Sequence, residues 1–108
     1  MNDFIFQPPA TMTRVEFNRI TSKIKEDTKY SSSAQAMVEH PDHQKILDAG
    51  DIAIKYLLQD IQKEPDHWFI TLFLLTGESV IKEEHRGIVP KMTEDWVNWG
   101  KENGYLPK

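Results

Sequence analysis

No cysteine occurs in the 108 residues of this chain, and glycine is scarce, with five residues. Because there are no thiols, disulfide bonds, thiolate zinc sites and cysteine nucleophiles are excluded. The glycines form neither the GxxxxGK(S/T) loop nor the GxGxxG turn with which many proteins bind phosphate groups. The sequence therefore gives no support to a nucleotide site, and we predict no cofactor.

An excess of positive charge is also missing. The chain has 13 Lys and Arg against 17 Asp and Glu, which gives a net charge of −4 at pH 7. Proteins that bind nucleic acid replace phosphate counterions with clustered Lys and Arg, so the negative net charge argues against nucleic acid as a partner. One alternative stays open, a nucleic-acid-binding regulatory protein. Its basic face would comprise Arg14, Arg19, Lys23 and Lys25, although acidic residues alternate with them.

No hydrophobic run is long enough to cross a membrane. The most apolar stretch, Pro65 to Gly77, reads PDHWFITLFLLTG and is much shorter than the ~20 residues that a spanning helix needs. The N-terminus has an acidic residue at Asp3 and lacks the basic region followed by an apolar run that marks a signal peptide. We therefore expect a cytoplasmic protein without a membrane partner.

The stretch from Pro65 to Gly77 is predicted to be the central helix of the fold. Proline suits the first helical turn, and glycine suits the left-handed position just after a helix. Because nearly every residue between Trp68 and Leu75 is apolar, the helix has no polar face, and we expect it to be buried on most sides. A buried strand is the alternative, since short apolar runs are ambiguous by pattern alone.

Helix signals recur along the rest of the chain. Thr13 and Glu16 form a capping box, and apolar residues then recur at helical spacing through Ile24, which predicts a helix of about fourteen residues. Further helices are predicted as a short turn after Ser33, from Pro41 to Ala49, from an Asp51 cap through Ile61, and from Pro90 to Gly104.

These elements predict an all-α fold, a compact bundle of about five helices in a single domain, 1–108, with an N-terminal arm, 1–12. The helix after Asp51 meets the Pro65 helix at a short junction, which favours a HEAT-like helical hairpin. No second copy of this unit recurs at a fixed period, so we expect a compact bundle rather than a solenoid.

Three patterns between His40 and Tyr105 belong together. They are the His-Pro pair at His40, the Pro-x-x-Trp-Phe motif at Pro65 in a segment that ends in Thr-Gly, and the Trp-x-x-Trp-Gly-x-x-x-Gly-Tyr pattern from Trp96 to Tyr105. Over roughly Pro41 to Tyr105 the chain resembles a family of small, largely uncharacterised bacterial proteins. The resemblance implies an all-helical domain of bacterial or mobile-element origin that acts beside another protein. It brings no catalytic residues with it.

The histidines offer two chemical alternatives. His40 and His43, with Asp42 or His85, could present ligands to a metal ion, but the proline between them places His40 before the helix, and no HExxH motif is present. We therefore predict no metal site and assign these histidines to helix starts and the surface.

A hydrolase is the second chemical alternative, with His67 or His85 as base beside Glu83 or Glu84. Adjacent carboxylates diverge in most backbones, and no Ser or Thr stands in a recognisable nucleophile setting, so a solvated charge cluster and a structural His67 are favoured. We predict that the protein is not an enzyme.

Aromatic side chains are the predicted contacts with a partner. Large aromatics commonly anchor interfaces, although they also fill cores, and both interpretations stay open here. The candidate partner-binding residues are Phe4, Phe6, Trp96, Trp99 and Tyr105. The sequence thus predicts an interaction module, with an antitoxin-like, inhibitor or adaptor role, that binds another protein or a second copy of itself.

Overall fold

The computed structural model describes residues 12–31, 34–65 and 68–108 of the chain. These residues form six α-helices and one short 3-10 turn, and they contain no strand. The elements are α1 (Arg14–Asp27), α2 (Ala34–Val38), α3 (His43–Ala49), α4 (Asp51–Lys63), α5 (Trp68–Thr76), the 3-10 turn (Glu83–His85) and α6 (Val89–Glu102). The predicted all-α fold is confirmed, with six helices where about five were expected.

Helix α1 agrees with its prediction. Oγ1 of Thr13 accepts a hydrogen bond of 3.1 Å from the backbone N–H of Glu16, which satisfies one free amide of the first turn. The buried apolar residues of the helix are Phe17, Ile20 and Ile24. Met12, the last residue of the predicted arm, is buried as well, and its carbonyl accepts a 3.3 Å hydrogen bond from the Tyr56 hydroxyl. The rest of the arm lies outside the described residues.

The start of α3 differs from prediction. The helix begins at His43 and not at Pro41, because residues 40–42 form a separate turn. In that turn the backbone N–H of Asp42 donates a 3.0 Å hydrogen bond to Nδ1 of His40. Asp42 occupies the cap position, but its side chain makes no cap hydrogen bond.

The start of α4 also differs from prediction. Asp51 is the first helical residue and not a cap, and no side chain caps this end of the helix. Gly50 takes the cap position with a φ of 60°, a conformation that costs little only for glycine. Such a turn lets α4 follow α3 directly.

Helix α4 is the centre of the bundle, and it packs against α1, α3, α5 and α6. Its buried residues are Ala53, Ile54, Leu57, Leu58 and Ile61. The prediction that the Pro65 helix holds this place is wrong. An amphipathic helix with a wide apolar stripe buries that stripe among several neighbours and keeps its polar side in water, and α4 has this pattern where α5 does not.

Helix α5 is described from Trp68 to Thr76. Pro65, which was predicted to stand in the first turn, is not helical, and residues 66 and 67 lie outside the described part of the chain. Gly77 follows the helix with a φ of 70°, as predicted. The α5 helix packs against α2, α3 and α4, so the predicted packing of the two hairpin helices is confirmed and the strand alternative is wrong. The closer likeness to a HEAT repeat stays a prediction.

Helix α6 packs closely on α4. Pro90 is its second residue, within one residue of the predicted start. At Gly100 an added Cβ would lie 2.7 Å from Cδ1 of Leu58, so the glycine allows the close approach of the two helices. The backbone N–H of Leu106 donates to the Gly100 carbonyl at 3.2 Å, and the buried Leu106 side chain closes this end of the core.

The connection from α5 to α6 contains the 3-10 turn at Glu83–His85. None of the helices in 12–31, 34–65 and 68–108 has the length and apolar character required to cross a membrane.

The central position of α4 predicts where the chain is most sensitive to truncation. Leu57 is fully buried, so Leu57→Ala should lower the free energy of unfolding by about 2–5 kcal/mol through the cavity it leaves. Val15 is 74% exposed, and Val15→Ala should change the free energy of unfolding by less than about 0.5 kcal/mol. Urea titration of both variants measures the difference. Equal losses would contradict the central role of α4.

Candidate functional site

Helix α5 is apolar on both of its sides, but only one side is buried. Trp68, Thr71 and Leu72 face the core. On the other side Ile70 is 44% exposed, Phe73 is 45% exposed and Leu74 is 47% exposed. The prediction that this helix is buried on most sides is therefore wrong, because the described helices that pack against it, α2, α3 and α4, leave its other side exposed.

The three exposed residues Ile70, Phe73 and Leu74 form one continuous face, which we call the α5 outer face. Residues three and four apart lie next to each other on a helix, so these side chains are neighbours. Among the described residues, the other large exposed apolar side chains are those of Val15, Tyr30, Ile88 and Val89. Single exposed apolar residues are normal on globular proteins, whereas large contiguous apolar patches are typical of binding sites.

A groove of about 320 Å³ lies beside this face, between α5 and the connection that follows it. Six apolar side chains line it, and they are Phe69, Ile70, Phe73, Val80, Ile81 and Trp96. We call this feature the α5 groove. Its volume is at the lower end of the ~300–1,000 Å³ typical of small-molecule pockets.

Charged residues of both signs border the α5 groove. Glu78, Ser79 and Arg86 are exposed and complete its lining. Arg86 has a partner within its own turn, since its Nε lies 3.5 Å from Oε1 of Glu83, with side chains 61% and 89% exposed. Ion pairs as exposed as this one contribute little, so Arg86 remains able to pair with a group on a bound partner.

Three of the predicted partner-binding residues form an aromatic cluster. The rings of Trp96 and Trp99 meet edge to face with centroids 5.5 Å apart, and the ring of Tyr105 stacks on Trp99 at 5.4 Å. Trp96 is only 1% exposed, whereas Trp99 and Tyr105 are half-buried. Trp96 thus belongs to the core and reaches the α5 groove only as part of its lining. Contact of these residues with a partner stays a prediction.

The Tyr105 hydroxyl links the end of the chain to α4. It donates a 3.1 Å hydrogen bond to Oδ1 of Asp51, the carboxylate that was predicted to cap α4. Burial, followed by this carboxylate, raises the pKa of Tyr105 above its ordinary value. The other predicted contacts, Phe4 and Phe6, lie outside the described residues, as does His67.

Asp95 joins the 3-10 turn to α6. It is 7% exposed, and its Oδ2 accepts a 3.0 Å hydrogen bond from the backbone N–H of Lys82 and lies 2.8 Å from Nδ1 of His85. Burial by itself would raise the pKa of Asp95, but the Lys82 N–H and the His85 ring outweigh it and hold the pKa below its ordinary value. His85 therefore has Asp95 as its partner, and not Glu83 or Glu84.

Sequence reasoning missed this role of Asp95. A signal was present, because Asp95 stands three residues after Met92 and four before Trp99, on the face that the aromatic spacing marks as inward. A carboxylate at an inward position needs hydrogen-bond donors. The hydrogen bonds of Asp95 hold the connection, which forms one wall of the α5 groove, against α6. This structural role accounts for the placement of Asp95 and His85 without catalysis.

The described residues contain no group of three or more His, Asp and Glu side chains placed to hold a metal ion. Nε2 of His40 lies 2.7 Å from Oδ2 of Asp27, and this contact, followed by the Lys23 ammonium, lowers the pKa of Asp27. His43 points away from this pair and into the core.

His43 forms a buried polar link between α3 and α5. It is 1% exposed, and its Nε2 lies 2.9 Å from Oγ1 of Thr71. Burial, with a smaller effect from His40, lowers the pKa of His43 below its ordinary value. The bond explains why Thr71, a polar residue, belongs to the inner side of α5.

The basic residues of α1 are largely paired with acids. Arg14 forms an ion pair with Asp60, Lys23 with Asp27, and Lys25 with Glu64. Such pairs reduce the positive field that a phosphate backbone would need. The nucleic-acid alternative therefore gains no support from these side chains.

The lowered pKa of His43 predicts a pH dependence. The unfolded chain gains a proton at this residue near pH ~6.5 while the folded chain resists it, so stability is full above this pH and falls as the pH drops below it. The pKa values of Asp27 and Asp95 are also lowered, but carboxylates lose their contribution only near pH ~4 and below. Unfolding titrations between pH ~7 and ~5 should show this loss, and His43→Gln should flatten the profile. Identical profiles would contradict the assignment.

The hydrogen bonds of Asp95 predict a second, local sensitivity. Asp95→Asn removes a buried carboxylate with two partners and should cost about 1–3 kcal/mol of unfolding free energy at neutral pH. The neighbouring Glu94 is exposed, and Glu94→Gln should change this quantity by less than about 0.5 kcal/mol. Urea titration compares the two. Similar small losses at both positions would show that Asp95 does not hold the connection.

Comparisons with known proteins leave the family open. Protein-family models, curated proteins and solved structures were compared with this chain, and none of them matches it.

Proposed function

We propose that this chain is a non-enzymatic protein–protein interaction module that binds its partner with the α5 outer face and the α5 groove. The observation that carries the proposal is the contiguous exposure of Ile70, Phe73 and Leu74, each between 44% and 47% exposed on one helix face. Leaving these side chains in water costs free energy that a partner would recover by covering them.

The chemistry of the surface favours a protein as partner. Phe73 offers a large ring beside an apolar groove, and charged residues stand only at its border, which matches the anatomy of a protein interface with an apolar centre and a polar rim. Aromatic side chains seated beside pockets are frequent binding hot spots. Trp96 in the groove lining connects this surface with the aromatic residues predicted from the sequence.

An antitoxin-like, inhibitor or adaptor role in a bacterial cytoplasm is part of this proposal. The bacterial origin comes from the resemblance of the His-Pro, Pro-x-x-Trp-Phe and Trp-x-x-Trp-Gly patterns to a family of small bacterial proteins, and the binding role rests on the aromatic residues predicted as partner contacts. Each of these roles requires at least one surface that binds another protein, and the α5 outer face is our candidate for that surface.

Affinity capture from the source cell tests the proposal. The unmodified chain should retain one stoichiometric protein after nuclease treatment, which mass spectrometry identifies, or a differently tagged copy of itself. Phe73→Asp should abolish the capture, because it places a charge in the apolar surface, whereas Val15→Asp on exposed α1 should not. Circular dichroism confirms that both variants remain helical.

Capture that survives Phe73→Asp would contradict the assigned surface. Recovery that depends on nucleic acid would contradict the proposed class of partner and favour the regulatory alternative.

A further inference from the structure

The α5 outer face and the α5 groove lie side by side and share two residues. Ile70 and Phe73 line the groove, while Leu74 extends the exposed face beyond it. An interface between two identical copies uses the same patch twice, so the patch must contain both a projection and a recess. This surface contains both, because the exposed side chains of α5 lie beside the groove between α5 and the connection that follows it.

The charges around the groove also match a second copy. No charged residue occurs between Trp68 and Thr76, so pairing two such helices buries no ion on either of them. At the border Glu78 is negative and Arg86 is positive. A two-fold axis that brings Arg86 of one copy to Glu78 of the other also brings Glu78 of the first to Arg86 of the second.

A partner of one sign would satisfy only one of these two charges. A basic segment would pair with Glu78 and face Arg86, and an acidic segment would do the reverse. The mixed sign of the border therefore favours a surface that is itself mixed in the same way.

We propose that the partner of this surface is a second copy of this chain, in a two-fold symmetric dimer formed by the α5 outer face and the α5 groove. The inference rests on the proposed function of the same surface. Phe73 and Leu74 of each copy enter the groove of the other, and Glu78 and Arg86 pair across the two-fold axis at both ends of the contact.

Sedimentation equilibrium of the full chain tests this directly. The unmodified protein should show a concentration-dependent mass that approaches two chains of 12.6 kDa. Phe73→Asp should reduce the mass to one chain, and Val15→Asp should leave the dimer intact. Circular dichroism and thermal melts of the variants show that a change in mass is not a loss of fold.

Charge reversal distinguishes a specific two-fold pairing from nonspecific hydrophobic association. Glu78→Arg or Arg86→Glu alone places like charges opposite each other twice in the dimer, and each should weaken self-association about tenfold. The double variant restores opposite charges across the axis and should recover the affinity of the unmodified chain. Additive weakening in the double variant would overturn the proposed pairing.

A single-chain mass at every concentration would overturn the dimer. If the Phe4→Asp, Phe6→Asp double variant then dimerises where the unmodified chain does not, the surface is covered by the chain's own N-terminal segment, which also overturns the proposal.

If the unmodified chain is monomeric and Phe73→Asp still abolishes capture of another protein, the second-copy inference fails and the proposed function stands. If the unmodified chain is dimeric and Phe73→Asp leaves both the dimer and the capture intact, both proposals fail.

Discussion

Helix α5 has no charged side chain from Trp68 to Thr76, and the rest of the structure must accommodate that constraint. A helix packed on one side of a small bundle can hide only part of its circumference. Because α4 and not α5 occupies the middle of the bundle, Ile70, Phe73 and Leu74 remain in contact with water. Polar residues at these positions would be better solvated in the isolated chain, and this is the physical basis of the binding surface proposed above.

Polar contacts hold the elements on both sides of the α5 outer face and the α5 groove in place. On the inner side of α5, Thr71 meets His43 of α3, and this contact sets which side of the helix faces the core. On the far side of the groove, Asp95 ties the 3-10 turn to α6 through Lys82 and His85. A surface held in place before binding loses less conformational entropy when a partner arrives, which favours affinity.

Much of the fold could be predicted because, in most helices, the spacing of the apolar residues shows which side faces the core. The Thr13 cap and the stripe of α4 that includes Leu57 specify both the existence of a helix and its inner side. In α5 nearly all residues are apolar, so the pattern specifies a helix but not which of its sides faces the core. Tertiary packing decides which side is exposed. The sequence pointed to the aromatic residues Trp96 and Trp99, which fill or border the core. It could not show that Ile70, Phe73 and Leu74 of α5 form the exposed surface.

The most direct test of the account is whether another chain covers the α5 outer face in solution. An equal mixture of isotope-labelled and unlabelled protein, studied by isotope-filtered NMR, reports contacts between copies only. The account predicts intermolecular NOEs to the methyl groups of Ile70 and Leu74 and to the ring of Phe73, and none to Val15. Absence of such NOEs at millimolar concentration, with those methyl groups fully accessible to a soluble paramagnetic agent, would contradict it.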